Sequence, residues 1–359
     1  MGGGALQRGK LPIPLLRSML ARFAGRQTVR VVVGPGIGLD AAAVDMGDRY
    51  LVAKTDPITF VTDEIGTYAL AVNANDLATM GALPRWFLAT VLLPMGTATP
   101  ARIARMFSQL SAACRSLNVS LCGGHTEVTD AVTRPVIVGC LLGECPKGRL
   151  ITTAGARVGD VVLLTKGIPI EAVSILAREK TDELGRRYSA RFVARCRRYL
   201  TNPGISIVRE ARIALATGGV HAMHDPTEGG LSTALYELAE AAGVGLRIDE
   251  RAIRVLPEGA RLCADFGLNP LGAIASGALL ICADAACEKQ LLGRFRRAGI
   301  HATRIGTVVS ARQGVRLVAE GRPARPFPHF AVDEIVRLFG GARGAMSKPW
   351  SHGLGSHTA

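Results

Sequence analysis

The sequence predicts a mixed α/β protein with two domains, of the α+β rather than the strictly alternating kind. Its 359 residues exceed the ~100–200 residues of a usual single domain. Hydrophobic residues make up 48% and charged residues 20% of the chain, as in folded proteins and unlike disordered ones. Strand-like and helix-like stretches occur in both halves, and a turn-rich passage, 143–159, separates the halves. We expect an N-terminal extension at residues 1–28, followed by two folded domains at 29–150 and 151–340. A mobile tail is expected at 341–359.

The first half is predicted to contain three helices and five strands. Apolar residues at helical spacing, closed by a glycine, predict a helix over 65–81. Thr99 as N-cap and Pro100 in the first turn predict a second helix that ends near residue 117. A shorter helix is expected within 11–25. The strands are expected at 29–33, 50–55, 86–93, 119–122 and 136–143.

The second half repeats this mixture of elements. A Gly-Asp turn opens a strand at 161–165. Further strands are expected near 246–248, 278–282 and 305–309, and helices near 171–180, 205–215 and 231–242.

The chain is strongly basic, with a net charge of +14 that is spread along its length. The densest patch, 186–198, has arginines at helical spacing and few aromatic residues, which indicates a solvated helix face rather than a nucleic-acid site. The eight cysteines form no CxxC pair and favour reduced thiols over a zinc site. No apolar stretch approaches the ~18–20 residues of a membrane span, and the N-terminus is a poor secretory signal. We expect a cytoplasmic protein without a membrane or nucleic-acid partner.

Two polar clusters early in the chain are candidates for chemistry. In the first, Asp40 directly follows the glycine-rich loop 34–39. Glycines let the backbone approach phosphate oxygens and an aspartate can hold a divalent metal, although the same residues also suit a plain turn. In the second, Asp56 ends a strand, whereas Asp63 and Glu64 begin the next helix and are expected to serve its dipole.

Three later clusters add further polar groups. Asn73 and Asp76 share one helix face, which either a ligand or solvent exposure explains, because such residues are costly within a helix. The segment 123–127, Gly-Gly-His-Thr-Glu, follows a strand and is expected to be a loop. Asp225 precedes a helix, either as a ligand-binding residue or as an N-cap whose capping box is completed by Glu228.

Together, these clusters favour a nucleotide that is bound through Mg²⁺. Carboxylates at the ends of elements would hold the metal, and the metal would hold the phosphates. The sequence has no GxxxxGK[ST] loop and no full GxGxxG fingerprint, so neither a P-loop nor a Rossmann-type site is expected.

The order of these motifs resembles the superfamily of aminoimidazole ribonucleotide (AIR) synthase and the hydrogenase-maturation protein HypE, which includes thiamine-monophosphate kinase and selenophosphate synthetase. The resemblance implies a PurM-like fold, in which the sheet of an N-terminal domain pairs across a homodimer into a barrel and a C-terminal α/β domain packs beside it. The matching stretches are 38–42, 54–56, 65–66, 71–82, 123–127, 225–230 and 275–280.

The resemblance also implies ATP and Mg²⁺ at the dimer interface. Asp225 and His125 would act in catalysis. The residues implied to hold Mg²⁺ are Asp40, Asp56, Asp76 and Asp225. Those implied to bind the nucleotide are Asp40, Asp56, Asn73, Asp76, Gly123, Gly124, Thr126 and Glu127. The implied reaction is ATP-dependent phosphorylation of an amide- or carbonyl-type oxygen of a small-molecule or protein-tail acceptor.

Within the superfamily the motifs are most similar to HypE and AIR synthase-related proteins, although several positions depart from the family pattern. HypE ends in a cysteine-bearing tail, whereas the last cysteine here is Cys287, which argues against the cyanide-forming step. Leu39 and His125 stand where acidic residues are common in related motifs. The alternatives are therefore a small-molecule kinase of the thiamine-monophosphate kinase type and a nucleotide-binding assembly protein without turnover.

Overall fold

The computed structural model describes Leu6 and residues 8–339. The expected mobile tail, 341–359, lies outside these residues, as does most of the stretch before Arg8. Two β-sheets with helices packed on them make up the described chain, which confirms the mixed α/β class. No described helix has both the length and the apolar character that a bilayer span requires.

The first half of the chain supplies the six strands of one sheet. They are β1 (Val31–Val33), β2 (Ala42–Asp45), β3 (Arg49–Ile58), β4 (Leu83–Pro94), β5 (Ser120–Thr129) and β6 (Val136–Pro146). Their order is β1-β2-β3-β6-β4-β5. All neighbours are antiparallel except β4 and β5, which are parallel. Five of the six were predicted at about these positions, and β5 is an edge strand.

Three helices accompany this sheet: α1 (Ile13–Phe23), α2 (Ile65–Thr79) and α3 (Pro100–Leu117). All three confirm the sequence predictions. Thr99 caps α3, because its hydroxyl accepts a hydrogen bond of 3.3 Å from the backbone N–H of Arg102.

The second sheet comes from the second half and has seven strands. They are β7 (Val161–Thr165), β8 (Val220–His224), β9 (Val244–Asp249), β10 (Leu280–Ala283), β11 (Ala302–Ser310), β12 (Val315–Val318) and β13 (Arg325–Pro326). Their order is β13-β12-β9-β11-β7-β10-β8. Only β9 and β12 run parallel.

Seven α-helices belong to the described part of this half. They are α4 (Ile170–Glu179), α5 (Thr181–Arg187), α6 (Ala190–Arg198), α7 (Val208–Thr217), α8 (Gly230–Ala242), α9 (Pro257–Phe266) and α10 (Glu288–Arg297). The arginine-rich patch spans two helices instead of one, because Ser189 caps α6 and breaks the run. Arg186, Arg191 and Arg198 are exposed, as the solvated-face interpretation requires.

Helix α2 connects the two halves. Every one of its residues except Thr67 is buried, which fits a helix that is apolar on nearly all sides. Its Asn75 side chain donates to the carbonyl of Ile205 and accepts from the backbone N–H of Ile207, both at 2.9 Å. These bonds fix α2, and the polar residues on it, against the second half of the chain.

Candidate functional site

A cavity of about 500 Å³ lies where the first sheet and α2 face the loop that follows β8. Four aspartates that the sequence singled out line this cavity. Asp40 follows the glycine-rich loop, Asp56 lies on β3, Asp76 lies on α2 and Asp225 directly follows β8. The structure therefore brings together residues that are up to 185 positions apart along the chain.

Asp225 is the least satisfied of these carboxylates. Its side chain is 1% exposed, and neither of its oxygens has a hydrogen-bond partner in the described chain. It does not cap a helix, since α8 begins five residues later behind Gly229, whose φ is 85°, so the N-cap alternative is wrong. Burial and the charge of Asp40 raise the pKa of Asp225 to about 6. Such a group is costly unless something binds it.

His224 links two acidic residues beside Asp225. Its Nδ1 lies 2.7 Å from Oδ1 of Asp40, and its Nε2 lies 3.1 Å from Oε2 of Glu237. Burial opposes protonation, but the two carboxylates outweigh it and raise the pKa of His224 well above its usual value. Thr79 donates a further hydrogen bond of 2.8 Å to Oδ2 of Asp40. The orientation of Asp40 is therefore fixed from two sides.

Lys54, on β3, places its ammonium group among the other carboxylates. Its Nζ lies 2.9 Å from Oδ2 of Asp76 and 3.6 Å from Oδ2 of Asp56. Although burial opposes its charge, these carboxylates raise the pKa of Lys54 above its usual value. Burial, offset only in part by Lys54, raises the pKa of Asp76. The cavity therefore stabilises positive charge.

The donors in this cavity fit a bound divalent cation. One side-chain atom each of Asp40, His224 and Asp225 lies within 4.8 Å of the other two. The two carboxylates are the candidate ligands, since both ring nitrogens of His224 contact Asp40 and Glu237. Carboxylate oxygens are the ligands that Mg²⁺ prefers. The oxygens of Asp225 meet no N–H or hydroxyl donor in the described chain, and their neighbour is the carboxyl group of Asp76. Five aspartates and two glutamates line the cavity, against two lysines and His224, which leaves negative charge for a metal to neutralise.

The N-terminal segment completes the wall of the cavity, a contribution that the sequence did not indicate. Lys10 and the following residues up to Pro14 line it. The backbone N–H of Lys10 donates to Oε1 of Glu228 at 2.9 Å, and its ammonium group donates to the hydroxyl of Thr227 at 3.2 Å. The capping-box partner Glu228 therefore holds the N-terminal segment.

Asn73 lies one turn before Asp76 on α2 but does not line the cavity. It is fully buried, and its Nδ2 donates to the carbonyl of Ala69 at 2.8 Å. Solvent exposure, one of the two predicted explanations, is therefore wrong for this residue. Its Oδ1 is buried without a hydrogen-bond partner in the described chain, and its contact with a nucleotide stays a prediction.

The segment 123–127 is not a loop and does not line the cavity. It lies within β5, where its residues are exposed at the edge of the sheet, and His125 Nε2 lies 3.1 Å from Oε2 of Glu127. A Cβ atom on Gly124 would lie 2.0 Å from the carbonyl oxygen of Ala89. The glycine therefore allows β5 to pair with β4, next to an irregularity in their register. Within one chain, no residue of this segment reaches the four aspartates.

Both halves of the chain match models of one protein family. Residues 38–145 match the N-terminal domain of AIR synthase related protein, and residues 157–318 match its C-terminal domain. The two matches contain Asp40, Asp56, Asp76 and Asp225, whereas the segment around Lys10 lies outside them.

Named relatives and solved structures share this two-domain fold. Carbamoyl dehydratase HypE of Cupriavidus necator is 32% identical over 76% of this chain and 77% of its own length. A solved HypE in complex with ATP is 25% identical and superposes with a TM-score of 0.68 over 82% of this chain and 89% of the other. Thiamine monophosphate kinase of Aquifex aeolicus is 19% identical, with a TM-score of 0.65 over 87% of this chain and 98% of the other.

Proposed function

The chain belongs to the AIR synthase related protein family, and from this premise we propose that it is a HypE-like enzyme that uses ATP and Mg²⁺. It phosphorylates an amide- or carbonyl-type oxygen of a small-molecule or protein-tail acceptor. The similar Cupriavidus protein is named a carbamoyl dehydratase, and a similar solved HypE is in complex with ATP. These likenesses support hydrogenase or other metallocofactor maturation as the setting of the reaction.

The observation that carries this proposal is the pair of orphaned oxygens on Asp225. They are buried, accept no hydrogen bond from an N–H or hydroxyl group of the described chain, and share the cavity with Asp40, Asp56 and Asp76. A buried carboxylate without a partner destabilises the protein in the absence of ligand. The buried carboxylate of Asp225 is explained if a cation, with phosphates bound to it, occupies the cavity.

Asp40, Asp56, Asp76 and Asp225 are the residues that would hold Mg²⁺. Bound there, Mg²⁺ would neutralise the charge of the polyphosphate and of the group in transfer. The protein's own contribution is positioning and electrostatic stabilisation. His224 and Thr79 contribute by holding the Asp40 carboxylate in one orientation.

Two ammonium groups are available to the phosphates in the same cavity. Lys54 lies between Asp56 and Asp76, and Lys10 lies beside Thr227 and 3.5 Å from Glu237. In the absence of ligand both are paired with carboxylates. With Mg²⁺ held by Asp56 and Asp76, the ammonium group of Lys54 would be free to contact a phosphate oxygen. Lys10 would keep its contact with Glu237, which is not among the residues that would hold the metal.

We further propose a homodimer that forms through the exposed edge of β5. The unpaired edge of a ten-residue strand is a template for pairing with another chain. Leu121 and Val128 are exposed on this strand, and covering them would bury apolar surface. A second copy placed there would bring His125, Thr126 and Glu127 to a composite site.

Calorimetric titration of ATP into the protein, with and without Mg²⁺, tests the proposal. We expect binding that requires Mg²⁺ and is lost in Asp225→Asn. Asp182→Asn is the matched control, because Asp182 is exposed on α5, and it should bind as the wild type does. ATP turnover should be lost in Asp40→Asn and Asp76→Asn while folding is preserved.

Two results would contradict the enzyme proposal. ATP binding that is indifferent to Mg²⁺ and to Asp225 would remove the carboxylate–metal–phosphate site. Tight Mg²⁺-dependent binding without turnover, for amide, carbonyl and phosphate-ester acceptors alike, would identify an assembly protein instead.

A further inference from the structure

A second cavity, of about 720 Å³, is lined by a different part of α2. Thr67, Leu70 and Ala71 line it, whereas Asp76 of the same helix lines the cavity of the aspartates. Thr67 and Ala71 are one turn apart and lie on a different helix face from Asp76. Among the described residues, the two cavities share no lining residue. Helix α2 therefore separates this second cavity from the proposed nucleotide site.

Both halves of the chain contribute apolar side chains to the second cavity. The first half supplies them from α2 and from the end of α3, and the second half from the segments before α7 and α9. Those that line it include Leu70, Ala113, Leu117, Leu200, Ile205 and Leu256. A ligand with an apolar body would remove part of this surface from water.

The charged groups that line the second cavity are mostly basic. Arg209, Arg254 and His301 are exposed, whereas Lys166 is 7% exposed. Glu210 is the one acidic side chain among the described lining residues, and its Oε1 lies 3.0 Å from Nζ of Lys166. Because Glu210 is occupied by the lysine, the cavity offers no carboxylate of its own to the two arginines.

The turn that follows β7 brings Arg254 and His301 together. The backbone N–H of Lys166 donates to the carbonyl of His301 at 2.7 Å, and the backbone N–H of Ile168 donates to the carbonyl of Arg254 at 3.0 Å. Lys166 has a φ of 56°, a left-handed conformation that residues other than glycine seldom adopt and that is frequent at ligand sites. The turn therefore joins two basic residues that are distant in the sequence.

Arg209 reaches the same place from α7. Its Nη2 donates to the carbonyl of Ala298 at 2.9 Å, and the residues that follow Ala298, up to His301, line the cavity. This single bond leaves other N–H groups of the guanidinium available. Three basic side chains from three separate segments are thus gathered around residues 298–301.

The positive charge gathered here has no counter-ion. The side chains of Arg254 and His301 have no hydrogen-bond or ion-pair partner among the described residues. Burial and the charge of Arg254 lower the pKa of His301. Burial, offset only in part by Glu210, also lowers the pKa of Lys166. An anion bound beside these groups would stabilise their protonated forms.

We propose that this second cavity binds a small phosphate monoester, whose phosphate contacts Arg209, Arg254 and His301 and whose apolar body lies between the two halves of the chain. A phosphate monoester carries about two negative charges at pH 7 and three acceptor oxygens, which match two guanidinium groups and one imidazole. Because α2 separates the cavity from the aspartates, this ligand binds in addition to the nucleotide and is not the acceptor of the reaction. The inference does not depend on the proposed function.

The test uses the full chain and phenyl phosphate as the probe. Its dissociation constant is measured by ligand-detected NMR, first without Mg²⁺ and nucleotide and then with Mg²⁺ and a saturating non-hydrolysable ATP analogue. Benzyl alcohol, benzoate and inorganic phosphate are measured in the same way. Under both conditions we expect phenyl phosphate to bind at least about tenfold more tightly than each of these three.

Arg254→Met should weaken the binding of phenyl phosphate at least about tenfold and leave that of benzyl alcohol unchanged. Arg212→Met is the matched control, because Arg212 is exposed on α7 one turn after Arg209 and does not line the cavity. It should bind phenyl phosphate as the wild type does. Phenyl phosphate should also raise the pKa of His301, read from an imidazole NMR signal that is identified by its absence in His301→Gln.

Equal affinities for phenyl phosphate and benzyl alcohol would overturn the inference, as would no detectable binding of phenyl phosphate or equal losses in Arg254→Met and Arg212→Met. Benzoate that binds as tightly as phenyl phosphate would contradict a phosphate monoester as the ligand. Displacement of phenyl phosphate by the ATP analogue would place the probe in the first cavity and would also overturn the inference. The dissociation constant of the analogue is recorded separately, and its failure to bind would contradict only the proposed function.

Discussion

The ammonium nitrogen of Lys54 lies 2.9 Å from Oδ2 of Asp76, inside a cavity that is lined by four further aspartates. The pair is largely buried, with side-chain exposures of 22% for Lys54 and 5% for Asp76. This lysine places a positive charge beside both Asp56 and Asp76. It therefore lowers the repulsion among the aspartates until a metal binds.

Lys54→Met is expected to destabilise the metal-free protein. Removal of one partner from a buried ion pair leaves an uncompensated charge, at a cost of about 3 kcal/mol. The free energy of unfolding in urea measures this loss, and millimolar Mg²⁺ should restore part of it. Lys147→Met, at the surface pair with Asp45, is the control and should change little. Equal stability of Lys54→Met and wild type would contradict the stabilising role of Lys54.

Asp225→Asn is expected to move stability and function in opposite directions. The variant should lose ATP turnover by at least about 100-fold, because a metal-holding carboxylate is gone. The metal-free protein should become about 1 kcal/mol more stable, since an unpartnered buried charge is removed. Turnover and the urea midpoint are measured on the same preparation.

Asp333 supplies the matched comparison for that variant. It is as deeply buried as Asp225, but its oxygens accept hydrogen bonds from the backbone N–H groups of Gly229 and Ile335 at 2.6 and 3.0 Å. Asp333→Asn should therefore lose about 2 kcal/mol of stability. A stability change of the same sign in both variants would show that Asp225 is not an unsatisfied group.

Lys10→Met is expected to weaken ATP binding through the phosphates. Affinity for ATP should fall about fivefold or more, the effect of losing a charge-assisted hydrogen bond at a partly solvated site, while affinity for adenosine should not change. Calorimetry with both ligands separates these effects. Arg22→Met, at an exposed position of α1, should bind both ligands as the wild type does. An equal loss for adenosine would show that Lys10 only shapes the cavity.

A mixture of two inactive variants tests whether β5 acts on the partner's site. Asp225→Asn and Glu127→Gln are unfolded together, refolded as a mixture and assayed. If each site combines the aspartates of one chain with β5 of the other, half of the dimers are mixed and each mixed dimer has one intact site, which gives about a quarter of wild-type turnover. No recovery, with both variants shown to be dimeric, would contradict a site shared between chains.

Glu171 is expected to make the protein less stable as the pH rises. Burial in the first turn of α4 raises its pKa to about 8 in the folded protein, from an ordinary value of 4.5. Between these values the folded state binds the proton more tightly than the unfolded state does, so stability falls as the pH passes from 4.5 to 8. The penalty is at most about 5 kcal/mol.

Glu171→Gln should remove this contribution. The difference in unfolding free energy between variant and wild type should grow in favour of the variant over that interval, measured in urea at several pH values. A difference that does not vary with pH would show that Glu171 keeps an ordinary pKa.

The sequence alone predicted the four aspartates of the cavity, because the pattern that indicates each of them is confined to a few neighbouring residues. A carboxylate that ends a strand or lies within a buried helix is visible in a few consecutive residues, as for Asp56 and Asp76. The partners of His224 were not visible, because Asp40 and Glu237 reach it from distant positions. Lys10 gave no local signal, since its role depends on contacts with residues 227, 228 and 237.

Two predictions failed because a short pattern had two physical meanings. The pair Gly123-Gly124 indicated a loop, but the glycines allow β5 to pair closely with β4. The spacing of Asp225 and Glu228 fits a capping box, but the chain takes a left-handed turn at Gly229 and delays the helix. The first outcome depends on Ala89 of the neighbouring strand, and at the second the N–H of Gly229 donates to Asp333, 104 positions away.

The burial of α2 determines how a ligand can enter and leave. Asp76 lies on α2, which is buried along nearly its whole length. The backbone amide hydrogens of α2 should therefore be among the slowest in the protein to exchange with deuterium. Local fraying of this helix therefore does not release a bound nucleotide. The N-terminal segment, which has no buried residue in α1, covers the same cavity and can open at far lower cost. If the proposed nucleotide binds in this cavity, we expect its residence time to depend on this outer segment, while the helix that carries Asp76 stays closed.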